Sequence, residues 1–231
     1  SFRGLSRLVL WGSLINAVAI ICGALLGRLL SFPDRFKTTV VNALGLIVVI
    51  IGISMGLESN RILVPVGALV LGTILGEALH IENRVESLGR LLQRHLQHQE
   101  NQGNALDFTE GFLTATFVFC VGAMAIIGGL DSGLRGDHQV LYAKSALDGV
   151  LAVFFSASLG VGVGFSALPV LFYQGSIALL ATLLAPVLSQ AVLQELTATG
   201  GILIVGIGLN ILGLTKIAIG NMLPAIGLAL F

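Results

Sequence analysis

The sequence predicts an all-α integral membrane protein with about eight transmembrane helices, seven being the alternative count. Three observations predict it. First, 55% of the 231 residues are hydrophobic and only 10% are charged, with a mean hydropathy of +0.98, where a soluble domain carries about 25% charged residues. Second, the apolar runs approach the roughly 20 residues that a bilayer-spanning helix requires. Third, glycines recur four apart within those runs, the spacing that lets helices pack closely where lipid provides no hydrophobic drive between them. Eight spans with short loops consume nearly the whole length and leave little room for an extramembrane domain.

Breaks at charge, proline and polar runs divide the chain into candidate spans at 8–30, 39–57, 62–80, 109–130, 141–164, 167–188, 199–214 and 217–231. The first is too long for a signal peptide and lacks a small-residue cleavage site, so it reads as a retained span, with Ser1 a processed or trimmed start. The last is short and contains Pro224, which suits a broken or re-entrant helix. Cys22 and Cys120 each sit in an apolar stretch and read as small buried thiols, with neither a disulfide nor a metal expected. Between the third and fourth spans lies the long polar segment 82–107. There Val85, Leu88, Leu91, Leu92 and Leu96 recur at helical spacing opposite Arg84, Arg90, Arg94, His95 and His98, an amphipathic surface helix suited to lipid headgroups. His95 and His98 lack a third ligand and read as a solvated face.

The positive-inside rule leans towards both termini outside. With the amino terminus inside, that side would carry Arg3, Arg7, Arg61, Arg135 and Lys144, against Arg28, Arg35, Lys37, Arg84, Arg90, Arg94 and Lys216 on the other. Twelve basic and twelve acidic residues balance, so no nucleic-acid partner is indicated.

An internal repeat is suggested by Gly45-Leu-Ile-Val-Val-Ile-Ile-Gly52-Ile-Ser54 beside Gly201-Ile-Leu-Ile-Val-Gly-Ile-Gly208-Leu-Asn210. Gly12-Ser13-Leu14 and Gly175-Ser176-Ile177 match upstream, and Pro65-Val-Gly67 loosely matches Pro224-Ala-Ile-Gly227 downstream. Residues 8–80 would then correspond to 167–231 in opposite orientation, around central spans 109–164. Such an inverted 3+2+3 plan within one polytopic domain is one on which secondary transporters are built. Small residues at Gly23 and Gly27, Gly52 and Gly56, Gly72 and Gly76, and Gly160 to Gly164 serve internal packing and a homodimer equally well.

Chemistry concentrates between Phe119 and Gly149. Lys144 and Asp148, four apart, share a helix face and can pair, and an ionisable residue within a span is a functional hypothesis by default; the alternatives are a purely structural ion pair and a snorkelling Lys144 with Asp148 a turn deeper. Gly128, Gly129, Gly133 and Gly136 each cost a helix about 1 kcal/mol, so the chain is expected to unwind there, and its free amides and carbonyls with Asp131, Arg135 and Asp137 make a candidate ion site, an ordinary extramembrane turn being the bland reading. Among the in-span amides, Asn16, Gln174, Asn210 and Asn221 complete the candidate binding set, interhelical hydrogen bonding being their bland use. Asn42, Ser54 and Glu77 take that bland reading. Phosphate-binding loops, zinc motifs and nucleophile elbows are absent, so neither a catalytic residue nor a cofactor is expected.

The Phe119–Gly149 segment, with Lys144-Ser-Ala-Leu-Asp148-Gly149 and Ser166 through Gln174-Gly175, resembles the bacterial membrane family catalogued as domain of unknown function 554, of the YqgA/YdfK type. Asn16 to Gly27, Gly45 to Gly52, Gly76-Glu77 and Gly220-Asn-Met-Leu-Pro224-Ala extend the likeness over nearly the whole chain. The resemblance implies a multi-pass protein of the bacterial plasma membrane and supplies no catalytic residues. The expected function is a secondary transporter or ion-conducting protein for a small polar or ionic solute, surrounded by membrane lipid. The rival is a non-transporting scaffold or regulatory subunit that docks a partner or lipid through 82–107.

Overall fold

In this computed structural model residues 9–30, 34–84, 87 and 105–230 are described, with the backbone alone at 34–37 and 105–107. All regular structure among them is helical: α1 Trp11–Leu29, α2 Asp34–Gly56, α3 Leu63–Ala78, α4 Ala105–Cys120, α5 Ala123–Arg135, α6 Gln139–Leu159, α7 Gly162–Phe165, α8 Ala167–Leu179, α9 Ala181–Leu184, α10 Gln190–Ile211, α11 Ile219–Met222 and α12 Pro224–Leu228. Each expected span overlaps at least one of these helices. Five helical stretches are by themselves long and apolar enough to cross a bilayer: α1, residues 38–56 of α2, α6, Gly162–Leu179 and α10. The bent pair α4 and α5 would make a sixth, while α3 and the stretch Ile219–Leu228 are shorter. Most of the expected amphipathic segment 82–107, including His95 and His98, lies outside the described residues.

The side chains are arranged for lipid. Along α6 the buried positions are Leu141, Lys144, Ser145, Asp148, Ala152, Phe155, Ser156 and Ser158, whereas Tyr142, Leu147, Val150 and Phe154 are exposed. The helix thus turns its polar stripe inward and its large apolar residues outward, the reverse of a helix in water. Helix α3 follows suit, exposing Leu63, Val66, Val70, Leu71 and Ile74 while burying Gly72 and Gly76. An exposed apolar surface of this extent belongs in a membrane.

The chain separates into two compact units, residues 1–33 with 111–189, and residues 34–110 with 190–231. The expected repeat copies, 8–80 and 167–231, each run through both. In the first unit α1 packs along α6, and α8 packs on α5 and α1. A Cβ at Gly23 would stand 2.2 Å from the Gly149 carbonyl oxygen, and one at Gly27 would stand 2.1 Å from that of Val153. Only glycine permits that approach, and Ser156 Oγ donates to the Ala24 carbonyl across the same seam at 2.8 Å. Phe119 of α4 and Phe155 of α6 stack nearby with ring centroids 6.1 Å apart.

In the second unit α2 packs along α10 through the glycine pairs that suggested the repeat. A Cβ at Gly52 would meet the Gly201 carbonyl oxygen at 2.7 Å, and one at Gly45 would approach that of Gly208 at 3.3 Å. Helix α3 holds α11 and α12, with Gly76 against the Asn221 backbone and Gly72 against that of Ala225. The terminal stretch is broken at Leu223, just before Pro224, as its proline suggested.

Two expectations are corrected. The chain does not unwind at Gly128 to Gly133: α5 runs through them to Arg135. There Gly128 receives the Leu141 side chain, Gly129 that of Ile177, and Gly133 the Ala178 carbonyl, so close packing offsets the propensity cost. The break comes earlier, at Val121–Gly122, where Gly122 has φ 125° and α4 and α5 diverge by 61°. Cys22 is exposed, on the outward apolar stripe of α1 with Val18, Leu25 and Leu29. A small thiol is as compatible with lipid as with a core, so an apolar setting did not decide its side.

Candidate functional site

The first unit holds a polar cluster inside apolar helices. Lys144 and Asp148 face inward from α6 at i and i+4, 6% and 4% exposed. The Lys144 ammonium lies 2.9 Å from Oδ1 and 2.8 Å from Oδ2 of Asp148. Lys144 therefore does not snorkel; its four-carbon stem folds along its own helix to the carboxylate. From α1, Asn16 Nδ2 donates to Asp148 Oδ2 at 2.9 Å and to Gln174 Oε1 of α8 at 3.2 Å. Asn16 and Gln174 are both 0% exposed. The close α1–α6 seam at Gly23 and Gly27 brings Asn16 within reach of Asp148.

The valences are not all used. Asn16 Oδ1, Gln174 Nε2 and, one helical turn before Asn16, Ser13 Oγ are buried without a hydrogen-bond partner among the described residues. Each orphaned buried polar group costs about 1–3 kcal/mol. Cys120, at the end of α4, lies close enough to Lys144 and Asp148 to feel both charges. Formally the cluster is neutral, one ammonium against one carboxylate.

Four of the expected residues, Lys144, Asp148, Asn16 and Gln174, thus meet in one place. The others have local roles. Asp131 pairs at 3.6 Å with Arg135, which is mostly exposed. Asp137 Oδ1 accepts from the Gln139 amide at the start of α6. Asn210 and Asn221 belong to the second unit. There Asn210 ties down the turn after α10, donating to the Ile217 carbonyl and accepting from Thr215 Oγ1 and the Ile217 amide. Asn221 accepts from the Glu82 amide and donates to Glu77, while Glu82 accepts from the Gly220 amide, so α3 and α11 are clamped together.

Sequence reasoning missed Glu195. It is buried in α10 and accepts from Ser59 Oγ and from the Asn60 and Arg61 amides, capping the loop that leads into α3. An acidic residue between Leu193 and Leu196 is a visible signal, but beginning the seventh span at 199 left it outside. Among the described residues no group of three or more His, Cys, Asp or Glu could hold a metal ion.

The family model described as "Protein of unknown function (DUF554)" matches residues 11–231. The chain belongs to this family. Within it, the chain is similar to the uncharacterized protein YqgA of Escherichia coli strain K12, at 32% identity over 95% of this chain and 94% of that one. It is also similar to the uncharacterized membrane protein YdfK of Bacillus subtilis strain 168, at 29% identity over 94% and 93%. No solved structure matches. The outward-facing apolar helices make this chain a multi-pass helical membrane protein, in keeping with the word membrane in the description of YdfK. All four clustered residues fall within the matched range.

Proposed function

We propose that the protein moves a small polar or ionic solute across the bacterial plasma membrane, as a secondary transporter or ion-conducting protein, with Lys144, Asp148, Asn16 and Gln174 at its binding centre. One observation carries this reading: a charged pair is buried in apolar helices beside two amides that each keep one polar atom without a partner among the described residues. Stability does not account for it. Placing each charge in a span costs about 2.5–3.5 kcal/mol, and apolar residues of similar volume in place of such a pair are often neutral or stabilising by about 1–4 kcal/mol. In this reading the chain crosses about eight times and performs no enzymatic step. The α2 and α10 glycines are counterparts in an inverted repeat, which their mutual packing supports.

The test is uptake into proteoliposomes containing purified protein, with a panel of amino acids, carboxylates and inorganic ions. Asp148→Asn is expected to lower flux of the transported solute about 100-fold, equivalent to losing about 2.7 kcal/mol of interaction. Undiminished flux would remove the site from the mechanism.

A further inference from the structure

We infer that the site exchanges a small alkali cation for a proton carried by Lys144. The inference rests on the transport reading above and names its cargo. Charge comes first. The pair is neutral and buried, and an added unit charge in such surroundings is expensive unless compensated. A cation can enter without changing the total only if a positive charge leaves. Lys144 provides one: the ammonium releases H⁺ and withdraws as a neutral amine, and the cation takes its place on the carboxylate. The balance is Lys-NH₃⁺·Asp⁻ plus M⁺ giving Lys-NH₂ plus Asp⁻·M⁺ plus H⁺.

Geometry favours a cation as the exchanged species. The ammonium already rests on both oxygens of Asp148, and it ends a flexible chain able to withdraw, whereas Asp148 and Asn16 are short. The amides supply a second state. With the ammonium in place, Asn16 spends its NH₂ on Asp148 and Gln174 and leaves Asn16 Oδ1 and Gln174 Nε2 unpartnered. Turning both amides over makes these two atoms partners of each other and points Asn16 Oδ1 towards the carboxylate-bound cation. An amide presents a donor on one edge and an acceptor on the other, so the same residues serve both occupants. One carboxylate with neutral oxygens suits a hard cation, not a soft thiolate-seeking one. The titratable groups near the pair on other helices are Cys120, which lies close enough to feel both charges, and Tyr173, which lies close enough to feel Cys120.

The experiment uses the intact protein in vesicles with a trapped pH indicator and an acidic interior. External NaCl, LiCl or KCl is added, with choline chloride as control. At least one alkali cation is expected to raise internal pH where choline does not, and for Na⁺ and Li⁺ an imposed membrane potential of either sign should leave the initial rate unchanged. Lys144→Ala is expected to move radiolabelled sodium without moving protons; Asp148→Asn should do neither. In detergent, the active cation should raise the Tm of wild type and of Lys144→Ala but not of Asp148→Asn, which reads cation binding separately from flux. If no alkali cation moves protons or shifts Tm while another solute is carried, this inference falls and the transport reading stands. If no solute moves at all, both fall. Proton exchange that persists in Lys144→Ala would exclude Lys144 as the carrier.

Discussion

Lys144→Met is expected to destabilise the protein by about 3–5 kcal/mol, the cost of leaving one member of a buried ion pair uncompensated. The double variant Lys144→Met with Asp148→Leu should recover most of that loss or exceed wild type. The reason lies in the burial: at side-chain exposures of 8% and 5%, water cannot screen the remaining carboxylate when its ammonium is removed. Asn16 would still donate one hydrogen bond to Asp148, worth about 1.5–3 kcal/mol when one partner is charged, which is too little to replace the ammonium. Unfolding in detergent, read as a double-mutant cycle, checks this through the coupling energy. Simple additivity of the two single changes would mean that the pair is solvated in the membrane.

The second large effect falls on the α1–α6 seam. Gly27→Leu is expected to cost about 3 kcal/mol or more, because the new Cβ would fall 2.1 Å from the Val153 carbonyl oxygen and 2.9 Å from its carbon. Overpacking usually costs about 1–3 kcal/mol where side chains can yield; here the obstacle is backbone, so the helices must part. Parting them draws Asn16 away from Asp148, so flux should fall with stability. Gly67→Ala is the contrast. Nothing lies within 4 Å of a Cβ there, and a helical Gly→Ala replacement without strain gains about 0.4–1 kcal/mol. Thermal unfolding of both variants should therefore move in opposite directions.

Much of the architecture was legible because lipid leaves a coarse mark. Long apolar runs can be read without tertiary information, as can the i,i+4 placement of Lys144 and Asp148 on one helix face. The glycines of α5 were not legible in the same way. Their helix propensity is a local quantity, whereas the Leu141, Ile177 and Ala178 groups that fill the space beside Gly128, Gly129 and Gly133 arrive from elsewhere in the chain. Asn16, Asn210 and Asn221 were indistinguishable as in-span amides. Their roles separate only through their partners: distant Asp148 for Asn16, the Glu77 and Glu82 clamp for Asn221, and the nearby Thr215 and Ile217 for Asn210. Cys22 shows the same limit, since hydropathy does not tell a lipid-facing side from an inward one.

Transport through this site requires that water reach a polar cluster built into apolar helices at some stage of the cycle. Substituted-cysteine labelling tests it most directly. With Cys22 and Cys120 replaced by serine, Ser13→Cys places a thiol one turn from Asn16, at a position that is 0% exposed. Membrane-impermeant thiol reagent added to one face of the membrane, and then separately to the other, is predicted to modify this cysteine from each side. Pre-incubation with the transported solute should slow that reaction. Modification from neither side, while a cysteine at exposed Arg135 labels normally, would rule out a water-accessible binding centre and leave the pair a sealed structural feature.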